Sequence, residues 1–185
     1  MGTGGSERPV YPFTYCPRCG QPTQERTLFG RTRRVCPHCH LVFFHDLKVA
    51  VGALITNGNR VLLVRRAVNP ERGKWALPAG YMEHDEAPLT ALRREVAEET
   101  GLDITVTRLL DVFPLTNPDA RGVIIMYQAR PVGEVPEHPS AADDIDAARW
   151  FAPEEIRWQD LAFESTRSIL RRWCENSDHQ GADSG

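Results

Sequence analysis

Glu95, Glu98 and Glu99 are spaced i, i+3 and i+4. On a helix turning by about 100° per residue they fall in one sector of roughly that width. Three carboxylates so placed repel one another. They also lie in the last turns of the predicted helix, where the macrodipole disfavours negative charge. A divalent cation would offset both penalties, and hard oxygen ligands suit Mg²⁺ or Mn²⁺. For Glu98 and Glu99 alone a solvated acidic face would be the better reading.

The second constellation is made of sulfur. Cys16-Pro-Arg-Cys19 and Cys36-Pro-His-Cys39 are two Cys-x2-Cys pairs separated by sixteen residues. Four thiolates on two tight knuckles suit tetrahedral Zn²⁺ in a structural site. The segment has few other apolar residues, so a metal is needed to hold it folded. A redox pair would account for one Cys-x2-Cys, but not for two at ribbon spacing. His38 and His40 could substitute as ligands, yet four cysteines already complete the site. Arg31, Arg33 and Arg34 make the segment locally basic. A solvated hairpin face is favoured for them over a phosphate or RNA contact. Cys174 stands alone and reads as a small core or surface residue.

Positioning these groups requires a particular order of elements. Residues 48–56 and 60–64 are apolar, β-branched runs with Asn57-Gly58-Asn59 between them, a hairpin signal. A short strand over 75–77 is expected to stop at Pro78 and Gly80. Residues 86–100 carry helix formers and an apolar stripe at Leu89, Leu92 and Val96. Asp85 is expected to cap that helix, Pro88 is tolerated in its first turn, and Gly101 with Leu102 ends it. Strands are predicted over 104–112, 122–130 and 146–151, and a terminal helix over 163–174 that buries Ile169, Leu170 and Trp173. This order is not a regular βα repeat. It predicts an α/β fold of the α+β kind, a mixed sheet with helices on its faces.

The segment from Gly80 to Leu102 reads Gly, five residues, Glu86, seven residues, then Arg94-Glu-Val-Ala-Glu-Glu-Thr-Gly-Leu102. It resembles the Nudix box at every defined position. The resemblance implies a Nudix α/β/α sandwich that hydrolyses nucleoside diphosphates linked to another moiety. It also implies that Glu95, Glu98 and Glu99 bind the Mg²⁺ or Mn²⁺ ions, Glu86 assists, and Arg94 orients the carboxylates. A backbone carbonyl in the preceding turn, that of Ala79 or Gly80, would be a further ligand. Glu95 is one choice of general base. Glu137, Asp143 or Asp144, in the loop 134–146, is another, and an exposed loop accounts equally well for those three acids.

A zinc ribbon before such a domain is similar to the NADH pyrophosphatase lineage. That lineage carries a Ser-Gln-Pro-Trp-Pro-Phe segment after the box, where this chain runs through Asp111-Val-Phe-Pro114. Gly73-Lys-Trp-Ala-Leu-Pro-Ala-Gly-Tyr-Met-Glu83, Trp150-Phe-Ala-Pro-Glu-Glu-Ile156 and Leu161-Ala-Phe163 resemble Nudix proteins acting on FAD and ADP-ribose. The expected reaction is hydrolysis of ADP-ribose or FAD to AMP and a phosphorylated partner moiety. NADH, NAD-capped RNA and a non-catalytic nucleotide sensor are the alternatives. Trp75 and Phe163 could stack on a base, although aromatics so placed more often pack in a core.

With 185 residues there is room for one domain and a small module. The expected divisions are a flexible tail over 1–12, a zinc ribbon over 13–46, a Nudix domain over 47–174 and a frayed, disordered end over 175–185. The net charge of −3 gives no global field toward nucleic acid or membrane. There is no apolar run long enough to span a bilayer and no signal core, so a cytoplasmic protein is expected. A small-molecule nucleotide is the expected partner, nucleic acid is not favoured, and a homodimer is allowed.

Overall fold

The computed structural model describes residues 13–44, 47–115 and 121–182, with the backbone alone from 177 onward. The tail over 1–12 lies outside the described residues. The chain divides into two compact units, Met1–Asp46 and Leu47–Gly185.

In the first unit, β1 (Gln24–Leu28) and β2 (Arg31–Val35) form an antiparallel hairpin. Each strand is flanked by a cysteine knuckle. The isolated bridges Tyr15↔Pro22 and Val35↔Val42 close the two knuckles.

The second unit is built around β3 (Lys48–Asn57). It turns through Gly58 and Asn59 into β4 (Arg60–Arg66), as the hairpin signal predicts. Along most of its length β3 runs parallel to β8 (Gly122–Pro131), which pairs antiparallel with β7 (Ile104–Leu115). β5 (Trp75–Ala76) and β9 (Ile145–Phe151) both pair with β4. The chain then re-enters the sheet as β6 (Ala79–Tyr81), antiparallel to β3. The sheet is therefore mixed, as expected.

Residues Ala50–Ile55 are buried without a break because helices cover both faces. Side chains alternate between faces along a strand. Val51, Ala53 and Ile55 pack with Ala91, Leu92 and Val96 of α1 (Pro88–Thr100). On the other face Leu54 joins Val61, Leu63 and Met126 with Ile169 and Leu170 of α2 (Glu164–Ala182). Gly52 lies between these layers, where a Cβ would come within 2.8 Å of the Met126 sulfur.

Four local expectations differ from the structure. α1 begins at Pro88, not Glu86; its N-cap is Ala87, and no side chain caps it, so Asp85 is not the cap. Leu89 is exposed, and Ala91 and Thr100 complete the buried stripe instead. Pro78-Ala79-Gly80 is not a turn, because β6 starts at Ala79. The terminal helix starts after Phe163 and continues to Ala182, so residues 175–182, expected to be a disordered end, are helical. Polar composition hides that extension, because a helix anchored at Ile169 and Leu170 can run on without further apolar residues.

Candidate active site

Arg94 organises the acids of α1. Its guanidinium meets Glu86 Oε1 at 2.6 Å, Glu95 Oε1 at 2.9 Å and Glu98 Oε2 at 2.9 Å. It also donates to the Tyr81 carbonyl at 3.1 Å, which ties α1 to β6. Glu86 precedes the helix and accepts the Glu83 backbone N–H at 2.8 Å. Arg94 and that N–H hold the Glu86 carboxyl below its ordinary range. The planar fork of an arginine suits such multiple carboxylate contacts.

In contrast to Glu86, the two inner glutamates are both pushed up. Burial pushes the Glu95 carboxyl up in spite of Arg94. Glu99 is only 3% exposed, and its carboxyl is pushed up to about 9 by burial, with further repulsion from Asp144 and Glu95. Its Oε2 accepts the Ala79 N–H at 3.2 Å. A nearly buried acid facing other acids is costly unless it is protonated or meets a cation.

Gly80 stands against these groups. A Cβ there would lie 2.0 Å from Glu95 Cδ and 2.1 Å from Oε2. The position needs glycine for space, since the β6 backbone must pass directly under the Glu95 carboxylate. The chain leaves α1 through Gly101, whose φ of 70° allows its N–H to reach the Ala97 carbonyl at 2.9 Å. Leu102 then buries into the core.

The three loop acids separate. Asp143 acts electrostatically on Glu95 and Asp144 on Glu99, so both border the carboxylate helix. The Ala142 N–H donates to the Glu99 carbonyl at 3.3 Å and fixes this loop on the end of α1. Glu137 is held elsewhere by Arg60, at 2.6 Å. No sequence signal distinguishes the three, because loop path decides the matter.

A cavity of about 650 Å³ lined by Lys48, Tyr81, Met82, His84 and Glu86 adjoins the Arg94 cluster. Tyr81, Met82 and His84 escape sequence reasoning because β6 does, whereas Glu86 is a defined position of the box. A second cavity of about 500 Å³, lined by Trp75, Arg149, Phe151 and Arg157, includes none of the box carboxylates. Trp75 meets Phe151 edge to face at 4.8 Å and packs on the core, and Phe163 lies beneath the Arg66 guanidinium.

In the first unit the sulfurs of Cys16, Cys19, Cys36 and Cys39 all lie within 4.8 Å of one another, and the Cys16–Cys39 and Cys19–Cys36 pairs are 3.5 Å apart. A tetrahedral ion with bonds of about 2.3 Å has edges of about 3.8 Å, so the cluster could hold one metal. Gly20 and His40 take equivalent left-handed positions, each donating its N–H to the first cysteine carbonyl of its knuckle. Backbone N–H groups of Cys39 and His38 lower the Cys36 thiol to about 6. Among the described residues this is the only set of three or more acid, His or Cys groups so closely gathered. The acids of α1 are spread between Arg94 and the Ala79 N–H. Their donor set nonetheless fits a hard cation, with a buried carboxylate repelled by its neighbours beside a cradle that only glycine leaves open.

A central mixed sheet between two helices, with an arginine-ordered carboxylate helix on one face, defines the class. Residues 46–174 match the NUDIX domain family, and the chain belongs to that family. It is 43% identical over 129 residues to an ADP-ribose pyrophosphatase of Methanocaldococcus jannaschii, covering 68% of this chain and 73% of that one. It is 30% identical over 163 residues to the NAD-capped RNA hydrolase NudC of Stutzerimonas stutzeri, covering 87% of this chain and 54% of that one. The crystal structure of a NUDIX hydrolase from Nitrosomonas europaea superposes with a TM-score of 0.80 at 32% identity, over 90% of this chain and 93% of the other. Some curated relatives are much longer, and the chain spans 39% of them. Among the described residues no helix is long and apolar enough to cross a membrane.

Proposed function

We propose that the chain hydrolyses the pyrophosphate bond of a dinucleotide-type nucleoside diphosphate derivative, ADP-ribose or FAD first, giving AMP and a phosphorylated partner moiety. The observation that carries this is the half-buried Glu95 against Gly80 beside the buried Glu99 that it repels, with Arg94 ordering Glu86, Glu95 and Glu98.

Glu95, Glu98, Glu99 and the Ala79 carbonyl would hold Mg²⁺ or Mn²⁺. The ion would neutralise the pyrophosphate and acidify an attacking water. Arg94 holds Glu95 and Glu98 on one side through its guanidinium. Burial raises the Glu95 carboxyl, which makes it a stronger base than an exposed glutamate. Asp143 and Asp144 border the same groups and are the other acceptors; the pairing of Glu137 with Arg60 favours these two over it. The four cysteines would hold a structural Zn²⁺ that takes no part in the reaction.

The similarity to the M. jannaschii protein supports ADP-ribose. Likeness to NudC, which is long enough to include part of the cysteine segment, supports a second reading, hydrolysis of NADH or NAD-capped RNA. The intact acids and Arg94 count against a non-catalytic sensor. Incubation with Mg²⁺ and ADP-ribose, FAD, NADH, NAD-capped RNA or nucleoside triphosphates, with products separated by chromatography, tests the proposal. AMP from ADP-ribose or FAD is expected. Turnover of triphosphates alone overturns it.

A further inference from the structure

The segment 13–44 carries Arg18, Arg26, Arg31, Arg33 and Arg34 against the single acid Glu25, within a chain of net charge −3. Four thiolates on a divalent metal would return some negative charge, yet the segment would stay positive. The hairpin register places Arg26 opposite Arg33 and Leu28 opposite Arg31. Cross-strand partners share a face, as do alternate residues of one strand. Arg26, Arg31 and Arg33 therefore share one face, and Glu25 lies on the other, opposite Arg34. Like charges directly opposite each other destabilise a hairpin. Among the described residues no ion pair joins these three arginines to an acid.

Aromatic rings flank this face. The Arg33 guanidinium lies 5.6 Å from the Phe29 ring centre and 5.1 Å from that of Phe44, and it donates to the Leu28 carbonyl. Phe29 is 79% exposed and Phe44 54%. Phe29 occupies the two-residue turn with Gly30 at a φ of 52°. Asn or Gly is the usual occupant there, and a bulky side chain at positive φ is uncommon. Neither local conformation nor burial accounts for a phenylalanine at this tip.

We propose that this face of the hairpin binds a single-stranded polynucleotide. Arg26, Arg31 and Arg33 take backbone phosphates, which the guanidinium fork contacts in pairs of hydrogen bonds. Phe29 and Phe44 stack on unpaired bases. An acidic protein segment or a duplex would use the charge but not the ring faces, so the single strand fits both features. Binding is read without turnover and does not rest on the proposed hydrolysis.

The test uses the whole 185-residue chain, zinc-loaded, in Mg²⁺-free buffer with a fluorescein-labelled oligouridylate, followed by anisotropy across a salt series. The R26A/R31A/R33A variant is expected to bind at least about tenfold more weakly, and its salt slope to flatten by about 0.7 per lost phosphate contact. Phe29→Ala should weaken binding severalfold at an unchanged slope. Zinc content and circular dichroism should match wild type in both variants, separating lost contacts from lost fold. Absence of wild-type binding at low salt overturns the proposal. So does an unchanged affinity of the triple variant, or equally tight binding of duplex RNA or polyglutamate.

Discussion

Among the described residues, the first unit buries only Cys16, Val35 and Cys36 as apolar side chains, whereas the second buries two clusters on opposite faces of β3. The small unit instead gathers four sulfurs on two knuckles, where a metal could link them. The large one has enough apolar contact to tolerate an acid as buried as Glu99. A segment without a core needs an external cross-link, while a segment with one can sustain a strained polar site.

The largest effect that would break this contrast is metal loss. Chelation or Cys36→Ser should unfold the ribbon outright, since structural zinc contributes on the order of 10 kcal/mol to such sites. The second unit should keep its cooperative thermal transition, read by calorimetry and limited proteolysis. Unfolding of both units together would show that the second depends on the first. Next, Glu98→Gln and Glu99→Gln should each lower turnover by about 100-fold or more with the fold retained. Near-normal activity of both variants would remove α1 from the chemistry.

A third effect is on stability against pH without divalent metal. The Glu99 carboxyl titrates at about 9 when folded, against an ordinary 4.5. Because the folded pKa is raised, its stabilising share is complete below 4.5, declines as pH rises and is lost above about 9. Urea midpoints of the wild type should therefore fall across that range more steeply than those of Glu99→Gln, and Mg²⁺ should restore them. Parallel curves would count against the buried proton. The smallest effect is that of Gly80→Ala, where overpacking against Glu95 should cost about 1–3 kcal/mol. Turnover should fall with it, and an unchanged variant would show that β6 can move away from Glu95.

Legibility follows range. Gly101, the Asn57–Asn59 turn and the two cysteine knuckles depend on neighbours a few residues away, and the sequence predicts them correctly. β6 is not legible in the sequence because its three residues become a strand only when β3 lies beside them. The sequence alone starts α1 at Glu86, which looks helical in isolation, while in the structure its carboxylate is bound to Arg94 eight residues away and the helix begins at Pro88. Residue types alone made Glu137, Asp143 and Asp144 equal, and only the loop path separates Glu137 on Arg60 from the two beside α1.

By itself, then, the sequence determined which atoms are available: three carboxylates on one helical face, an arginine beside them, a glycine before them, and four thiolates. Helical period and knuckle spacing are local properties, so they survive without a fold. Tertiary structure decided that Gly80 passes beneath Glu95, that Glu99 is buried among other acids so that its carboxyl is pushed up, and that Arg26 faces Arg33 across a hairpin. Those depend on burial and on partners far away along the chain, which no short window of residues contains.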